Sequence, residues 1–374
     1  MSWKANILKV ADVTMGRALC VALAPFARRR KRNPLCDVKR ILVIRPGGIG
    51  DAVLFIPMLQ SLKGAFPEAQ IDLLMEGRNA GVIPAAGLAE EVLRYDRSPS
   101  ALLTLRKRRY DVVIDTEQYH CLSAIVAFLT GAAVRIGFDT NLRRQMFTET
   151  VPYDQDLYEV YSFLRLAGVL TGREHPWDPD EPFYPQSDEG ARFAEQALRP
   201  LESRYLVAIH PGASIPERQW PPERYGQLAA MLSDRGMGIV ILGGKTDVAA
   251  AARIADILQG RDFVNLAGRC SLVEAASVVA RVSVYVSADS GVLHLAYGVG
   301  TPTVHLFGPG VLSKWGPPGR KFITVSNPVE CSPCTRYGYT PPCCQGLTCM
   351  MGIAPEDVFK ATMDQLNERM LQHG

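Results

Sequence analysis

Residues 41–62, ILVIRPGGIGDAVLFIPMLQSL, decide how the chain folds. Residues 41–45 are mostly β-branched and aliphatic and predict a buried strand, Pro46 and the glycines at 47, 48 and 50 break it, and a helical pattern starts at Asp51. Strand, glycine turn and helix open a doubly wound α/β domain, whose ligands bind outside the carboxyl ends of the strands. Asp51 falls at that edge. Gly48 and Gly50 let a ligand approach the backbone closely. The spacing is not that of a dinucleotide site, because counting from Gly48 puts Val53 where G-x-G-x-x-G needs its last glycine. Two readings of Asp51 stand: a helix N-cap, or a catalytic base at the mouth of the sheet.

Strand and helix patterns alternate outward from this unit. Residues 69–75, 90–96, 110–117 and 132–139 read as strands, with a helix over 121–129 and an aromatic-rich helix closing the half near residue 170. Such alternation implies parallel βαβ units. Residues 175–190, with four prolines and five acidic residues, read as a linker. The same alternation then resumes from residue 205 to 309. The expected organisation is therefore an N-terminal extension (1–39), a Rossmann-like domain (40–174), the linker, a second Rossmann-like domain (191–352) and a C-terminal helix (353–374), with a cleft between the two domains.

The 374 residues are 47% hydrophobic, enough for two cores. The net charge of +3 does not point to nucleic acid, and it is unevenly spread. Residues 1–32 carry eight Lys/Arg against Asp12 alone, a net +7; the 33 basic and 37 acidic residues that remain give −4. The apolar positions before the basic run at 28–32 are interrupted by Lys9, Asp12 and Arg17, too often for a spanning helix. An amphipathic helix at a membrane interface, a plain packing helix with a solvated basic end, and a signal peptide are the readings of this segment. Of nine cysteines, five crowd between Cys331 and Cys349. That distribution suggests a reducing compartment with one local site. Cys331, Cys334, Cys343 and Cys349 would supply a tetrahedral structural zinc or iron site, the alternatives being free thiols and disulfides.

Three segments of the second half end strands with chemistry. In residues 210–225, HPGASIPERQWPPERY, a turn through Gly212, Ala213 and Ser214 is followed by Arg218, a combination suited to a diphosphate, or else by a surface cation and a packing Trp220. In GGKTD, Asp247 reads as a ribose ligand or a first-turn acid. In SADSGVLHLAYGVGTPTVHLFGP, residues 287–309, Asp289, Ser290 and Gly291 end a strand and begin a helix, an expected phosphate seat, with His294 about one turn in. The acid pairs at 154–156 and 178–180 do not end apolar strands and read as loop residues.

These residues together resemble glycosyltransferase family 9, the ADP-heptose:lipopolysaccharide heptosyltransferases. GGIGD with Pro57, the HPGA turn with R-x-W-P, and D-S-G-x-x-H-L with G-x-P-T-V-x-L-F-G-P fall in that family's order over roughly residues 40–365. The resemblance implies a GT-B fold and an inverting transfer from ADP-heptose to an inner-core lipopolysaccharide acceptor, without a cofactor or catalytic metal. It implies a cytoplasmic enzyme lying on the inner membrane, here through residues 1–32. Asp51 would be the general base; Asp289, Gly291 and His294 would lie against the nucleotide sugar; Arg218 stands where the family usually has lysine. Some relatives that glycosylate autotransporter proteins carry similar cysteine clusters associated with an iron finger, so a protein acceptor or another nucleotide sugar is the alternative. Arg135, Arg143 and Arg144 read as acceptor contacts or solvated loop charges.

Overall fold

A computed structural model describes residues 12–27, 38–83, 87–97 and 100–373. The chain divides into two compact units, Met1–Trp177 and Asp178–Gly374. Each is built on one parallel six-stranded sheet.

In the first unit the strands are β1 (Arg40–Arg45), β2 (Gln70–Met75), β3 (Glu91–Arg94), β4 (Val112–Asp115), β5 (Val134–Phe138) and β6 (Glu149–Val151). Their order is β3-β2-β1-β4-β5-β6, every pairing parallel. The chain therefore winds out from β1 one way and from β4 the other, which makes the β1/β4 boundary the switch point where such sheets bind ligands. Ile44 is in register with Asp115, so the loops leaving β1 and β4 start side by side.

The second unit repeats the plan. Its strands β7 (Leu206–His210), β8 (Gly238–Ile241), β9 (Phe263–Asn265), β10 (Val284–Ala288), β11 (Thr303–Leu306) and β12 (Phe322–Val325) are ordered β12-β11-β10-β7-β8-β9 and all parallel. The switch point lies between β7 and β10, with His210 opposite Ser287. β7, β8 and β10 are buried on both faces, which explains their unbroken apolar runs. The C-terminal helix Pro355–His373 closes this core with Val358, Ala361 and Leu366.

Two segments are more ordered than their composition suggests. In the stretch read as a linker, Phe183 and Tyr184 donate backbone N–H groups to Gly298 O, both at 2.8 Å, and a helix begins at Asp188 with Ser187 as its N-cap. The described part of the N-terminal extension is helical over Asp12–Gly16 and Arg17–Leu23 and docks on the first unit. Asp12 Oδ1 accepts the Leu122 N–H at 2.7 Å at the open end of the helix Cys121–Leu129, and Cys20 and Ala27 are buried in the core with Leu42 and Val113. Met15, Leu19, Val21 and Phe26 are exposed. Residues 1–11 and 28–37, including the basic run, lie outside the described residues.

Candidate active site

At the first switch point the chain leaves β1 through Gly47, whose φ of +93° only glycine adopts without strain. The helix Ile49–Leu54 follows with Gly48 as its N-cap. Asp51 is thus the third helical residue, and the N-cap reading is corrected by two residues of helix that the glycines hid. A side chain at 48 would put its Cβ 3.0 Å from Asp51 Oδ2, so glycine leaves room for the carboxylate. Asp51 is 16% exposed, and its Oδ2 lies 3.8 Å from Arg45 Nη2.

Arg45 is the residue that sequence reasoning missed. It is buried, donating through Nε to Pro46 O (2.7 Å), through Nη1 to Thr116 O (2.9 Å) and through Nη2 to Glu117 Oε2 (3.3 Å). Glu117, just past β4, is buried too; burial opposes its charge, but Arg45, His120 and Arg143 outweigh that and lower its pKa. Buried Glu159 adds to the negative charge felt by Arg45 and accepts the Tyr153 O–H at 3.2 Å. A strand-end carboxylate was the available signal for Glu117; Arg45 was concealed inside the apolar run.

Of the three arginines read as acceptor contacts or loop charges, Arg143 and Arg135 are buried with other duties. Arg143 is buried against the equally buried Asp115, 2.7 Å away, and burial raises the Asp115 pKa while Arg143 opposes it. Arg135 is spent on the carbonyls of Ala132, Met146 and Ala27. Arg144 alone is exposed, beside Asp139. The acid pairs are turns: Asp156 N–H donates to Asp154 Oδ1 and Asp180 N–H to Asp178 Oδ1, both at 2.9 Å.

At the second switch point β7 runs into Pro211 and Gly212, and a Cβ on Gly212 would fall 2.5 Å from the Asp247 carboxylate. Asp247 Oδ2 accepts the Gly244 N–H at 2.8 Å and faces His210 Nε2 at 3.6 Å; burial lowers the His210 pKa while Asp247 opposes the shift. Ala213 is half-buried and Ser214 exposed. Arg218 ends the 3-10 turn Pro216–Arg218, held by Trp220, which is buried, donates Nε1 to Ile353 O at 3.1 Å and stands edge-on to Tyr225.

The chemistry concentrates where Arg218 meets Asp289. Arg218 Nη1 lies 3.1 Å from Asp289 Oδ2. Burial raises the Asp289 pKa, and Arg218 pulls it back. The turn 289–292 precedes a helix that starts only at Leu293, whose N–H reaches Ser290 Oγ at 3.3 Å; the expected helix start at Asp289 is corrected, and His294 is its second residue. Gly291 is half-buried beside it. Burial, then His305 and Arg218, push the His294 pKa down to about 3, so its ring is neutral. His294 Nδ1 and Arg218 Nε are buried with no hydrogen-bond partner, which such groups rarely tolerate without a ligand or water.

The metal expected at Cys331, Cys334, Cys343 and Cys349 is not supported: among the described residues no three His, Cys, Asp or Glu side chains are arranged to hold an ion. The thiols differ in burial although they lie near one another: burial, helped by Cys343, Cys331 and Cys334, raises the Cys349 pKa. Cys331 and Cys343 are exposed, Cys349 is buried in the core, and Cys343 Sγ accepts the N–H groups of Gln345 and Leu347, each at 3.4 Å. Burial, with Cys331 and Cys343 nearby, raises the Cys334 pKa.

Comparison with known proteins gives the family. The family model of glycosyltransferase family 9 (heptosyltransferase) matches residues 101–344. Lipooligosaccharide heptosyltransferase 2 of Haemophilus ducreyi is 30% identical over an alignment of 298 residues that covers 72% of this chain and 83% of that protein. Lipopolysaccharide heptosyltransferase 2 of Escherichia coli is 26% identical over 290 residues, with the same shares. The structure of E. coli ADP-heptose lipopolysaccharide heptosyltransferase II superposes with a TM-score of 0.71 at 24% identity, covering 88% of this chain and 99% of that one. Two parallel sheets of Rossmann order in tandem are the GT-B fold of those enzymes. The chain belongs to glycosyltransferase family 9, the heptosyltransferases.

Proposed function

We propose that this enzyme transfers heptose from ADP-heptose to a sugar hydroxyl of the lipopolysaccharide inner core, with inversion at the anomeric carbon. The observation that carries the reading is the edge of the second sheet where Arg218 Nε and a neutral His294 are buried without partners. Those groups match a diphosphate sugar, which supplies acceptor oxygens and negative charge. In this reading the diphosphate lies against Gly212, Ala213, Ser214 and Arg218, the sugar near Asp289, Ser290, Gly291 and His294, and the ribose toward Asp247.

Asp51 takes the proton of the acceptor hydroxyl as its oxygen attacks the anomeric carbon. The bond from that carbon to the diphosphate breaks, and ADP leaves with the electron pair. Arg45, fixed on three sides, orients the Asp51 carboxylate; Arg218 stabilises the charge growing on the diphosphate, a role that falls to a metal ion in other transferases. Gly48 and Gly50 keep the approach to Asp51 open. The names of the most similar relatives favour a lipid-linked sugar over a protein as acceptor.

The same reading places the enzyme in the cytoplasm, peripheral on the inner membrane. No described helix is long and apolar enough to cross a membrane. Exposed Met15, Leu19, Val21 and Phe26, in a segment followed by the basic run 28–32, suit the headgroup boundary of an anionic leaflet.

Purified enzyme supplied with ADP-heptose and heptose-deficient lipopolysaccharide is expected to release ADP and lengthen the core by one heptose. Turnover with UDP-sugars instead, or tighter binding of NAD than of ADP, would overturn the assignment.

A further inference from the structure

The cysteine-rich strap has no part in the chemistry above, yet it reaches the arginine that does. Arg218 Nη2 lies 3.4 Å from Thr340 Oγ1, and Thr340 Oγ1 lies 2.8 Å from Thr335 Oγ1. Both threonines are buried, Thr335 at 2% and Thr340 at 9% exposure. A guanidinium only donates, so Thr340 Oγ1 accepts from Arg218, and the hydrogen bond between the two threonine hydroxyls, which either can donate, ties Thr340 to Thr335.

The strap is also fastened to the loop behind Asp289. The N–H groups of Cys334 and Thr335 both donate to Pro309 O at 3.0 Å, and Ser332 Oγ donates to Gly308 O at 2.6 Å. At its far end Met350 and Cys349 press on Gly308, where a Cβ would sit 2.4 Å from Met350 Sδ. Two residues on, a Cβ at Gly310 would come within 2.8 Å of Asp289 Oδ2. The strap thus backs both members of the Arg218–Asp289 pair.

From this we infer that Thr340, supported by Thr335, is a positioning residue of the donor site. Asp289 draws Nη1 by charge at 3.1 Å and Thr340 holds Nη2 by a hydrogen bond; with both nitrogens anchored the plane of the guanidinium is set, and the unpartnered Nε–H is then held in one direction for the diphosphate. A lysine in place of Arg218, a point charge on a flexible stem, would have no use for the second anchor. The inference rests on the donor-site reading.

ADP titration calorimetry on the full chain, with steady-state kinetics, tests it. Thr340→Val is expected to weaken ADP binding and raise the donor KM about fivefold, the size of one net hydrogen bond, with kcat within about twofold, while Thr340→Ser restores both. Thr335→Val, which leaves the contact to Arg218 in place, is expected to show the same effect at smaller size and covers the case in which Thr340→Val does not fold. In an Arg218→Lys background Thr340→Val is expected to add nothing, because the nitrogen it serves is gone. ADP binding unchanged in Thr340→Val and Thr335→Val, or weakened equally when Thr340→Val is added to Arg218→Lys, would overturn the positioning role while leaving the donor site intact. Failure of the unsubstituted chain to bind ADP would instead bring down the donor reading and this inference with it.

Discussion

The two switch points share a strand order and a turn after the first strand, and they spend their charges in opposite ways. In the first unit Arg45 has an acceptor on each of its three nitrogens, and Asp115 with Arg143 is sealed in the core. In the second, the charged groups meet only in part: Arg218 reaches Asp289 and Thr340 and keeps its Nε–H unpaired, and His294 keeps an unpaired ring nitrogen. The difference follows from what each edge is proposed to do. A base must stand in one place before its substrate arrives, so the arginine beside it is fixed by the protein alone. A seat for a charged ligand leaves donors for the ligand to complete.

The sharpest way to break that comparison is Asp51→Asn. Transfer is expected to fall by about 10²- to 10⁴-fold, the range for a general base, with ADP affinity unchanged, because the donor seat is proposed on the other unit. Normal turnover in this variant would remove Asp51 from the mechanism. Next in size is Arg143→Met, which leaves the buried Asp115 without its partner. It is expected to cost about 3–5 kcal/mol in urea unfolding; a loss under about 1 kcal/mol would show that the first unit tolerates open charge after all. Arg218→Ala is expected to lower kcat by about 10²-fold and weaken ADP binding, with a smaller loss of stability than Arg143→Met because Arg218 is partly exposed where Arg143 is wholly buried.

How much of this was legible beforehand depended on whether a feature is local. The strand–glycine–helix opening and the alternation after residue 205 are local, and they gave both sheets. The edge strands β6 and β12, three and four residues long and without an unbroken buried run, carry too weak a period to be read. Helix starts slipped at Asp51 and at Asp289 because glycine and serine turns look like caps. Pairings could not be seen at all. Arg45 and Glu117 are 72 residues apart in the chain and meet only because β1 and β4 adjoin. Arg218 and Asp289 each drew notice singly, but nothing local predicts that they face one another. For the same reason Arg135 and Arg143, basic residues near turns, looked like surface charge.

The smallest expected effect separates the units by acid. His210, His294 and His305 are buried in the second unit, and burial lowers the pKa of each, to about 3 for the latter two. Unfolded, each titrates near 6.5. Above that pH both states are neutral and stability is at its full value. As pH falls toward 3 the unfolded chain takes up protons that the native chain refuses, so stability is lost, at up to about 1.4 kcal/mol per pH unit for each histidine. Between pH 6.5 and 5 most carboxylates stay ionised in both states; Asp289, with its raised pKa, works against the three histidines, which outnumber it. The buried carboxylate Glu117, with its lowered pKa, makes its own acid loss only at lower pH. Trp220 and Trp315 lie in the second unit, and their fluorescence in urea is expected to show its midpoint falling between pH 7.5 and 5.5. His294→Gln should flatten that slope by about one proton, and a midpoint as steep as before would mean that His294 takes a proton in the native state, contradicting the neutral ring on which the donor seat depends.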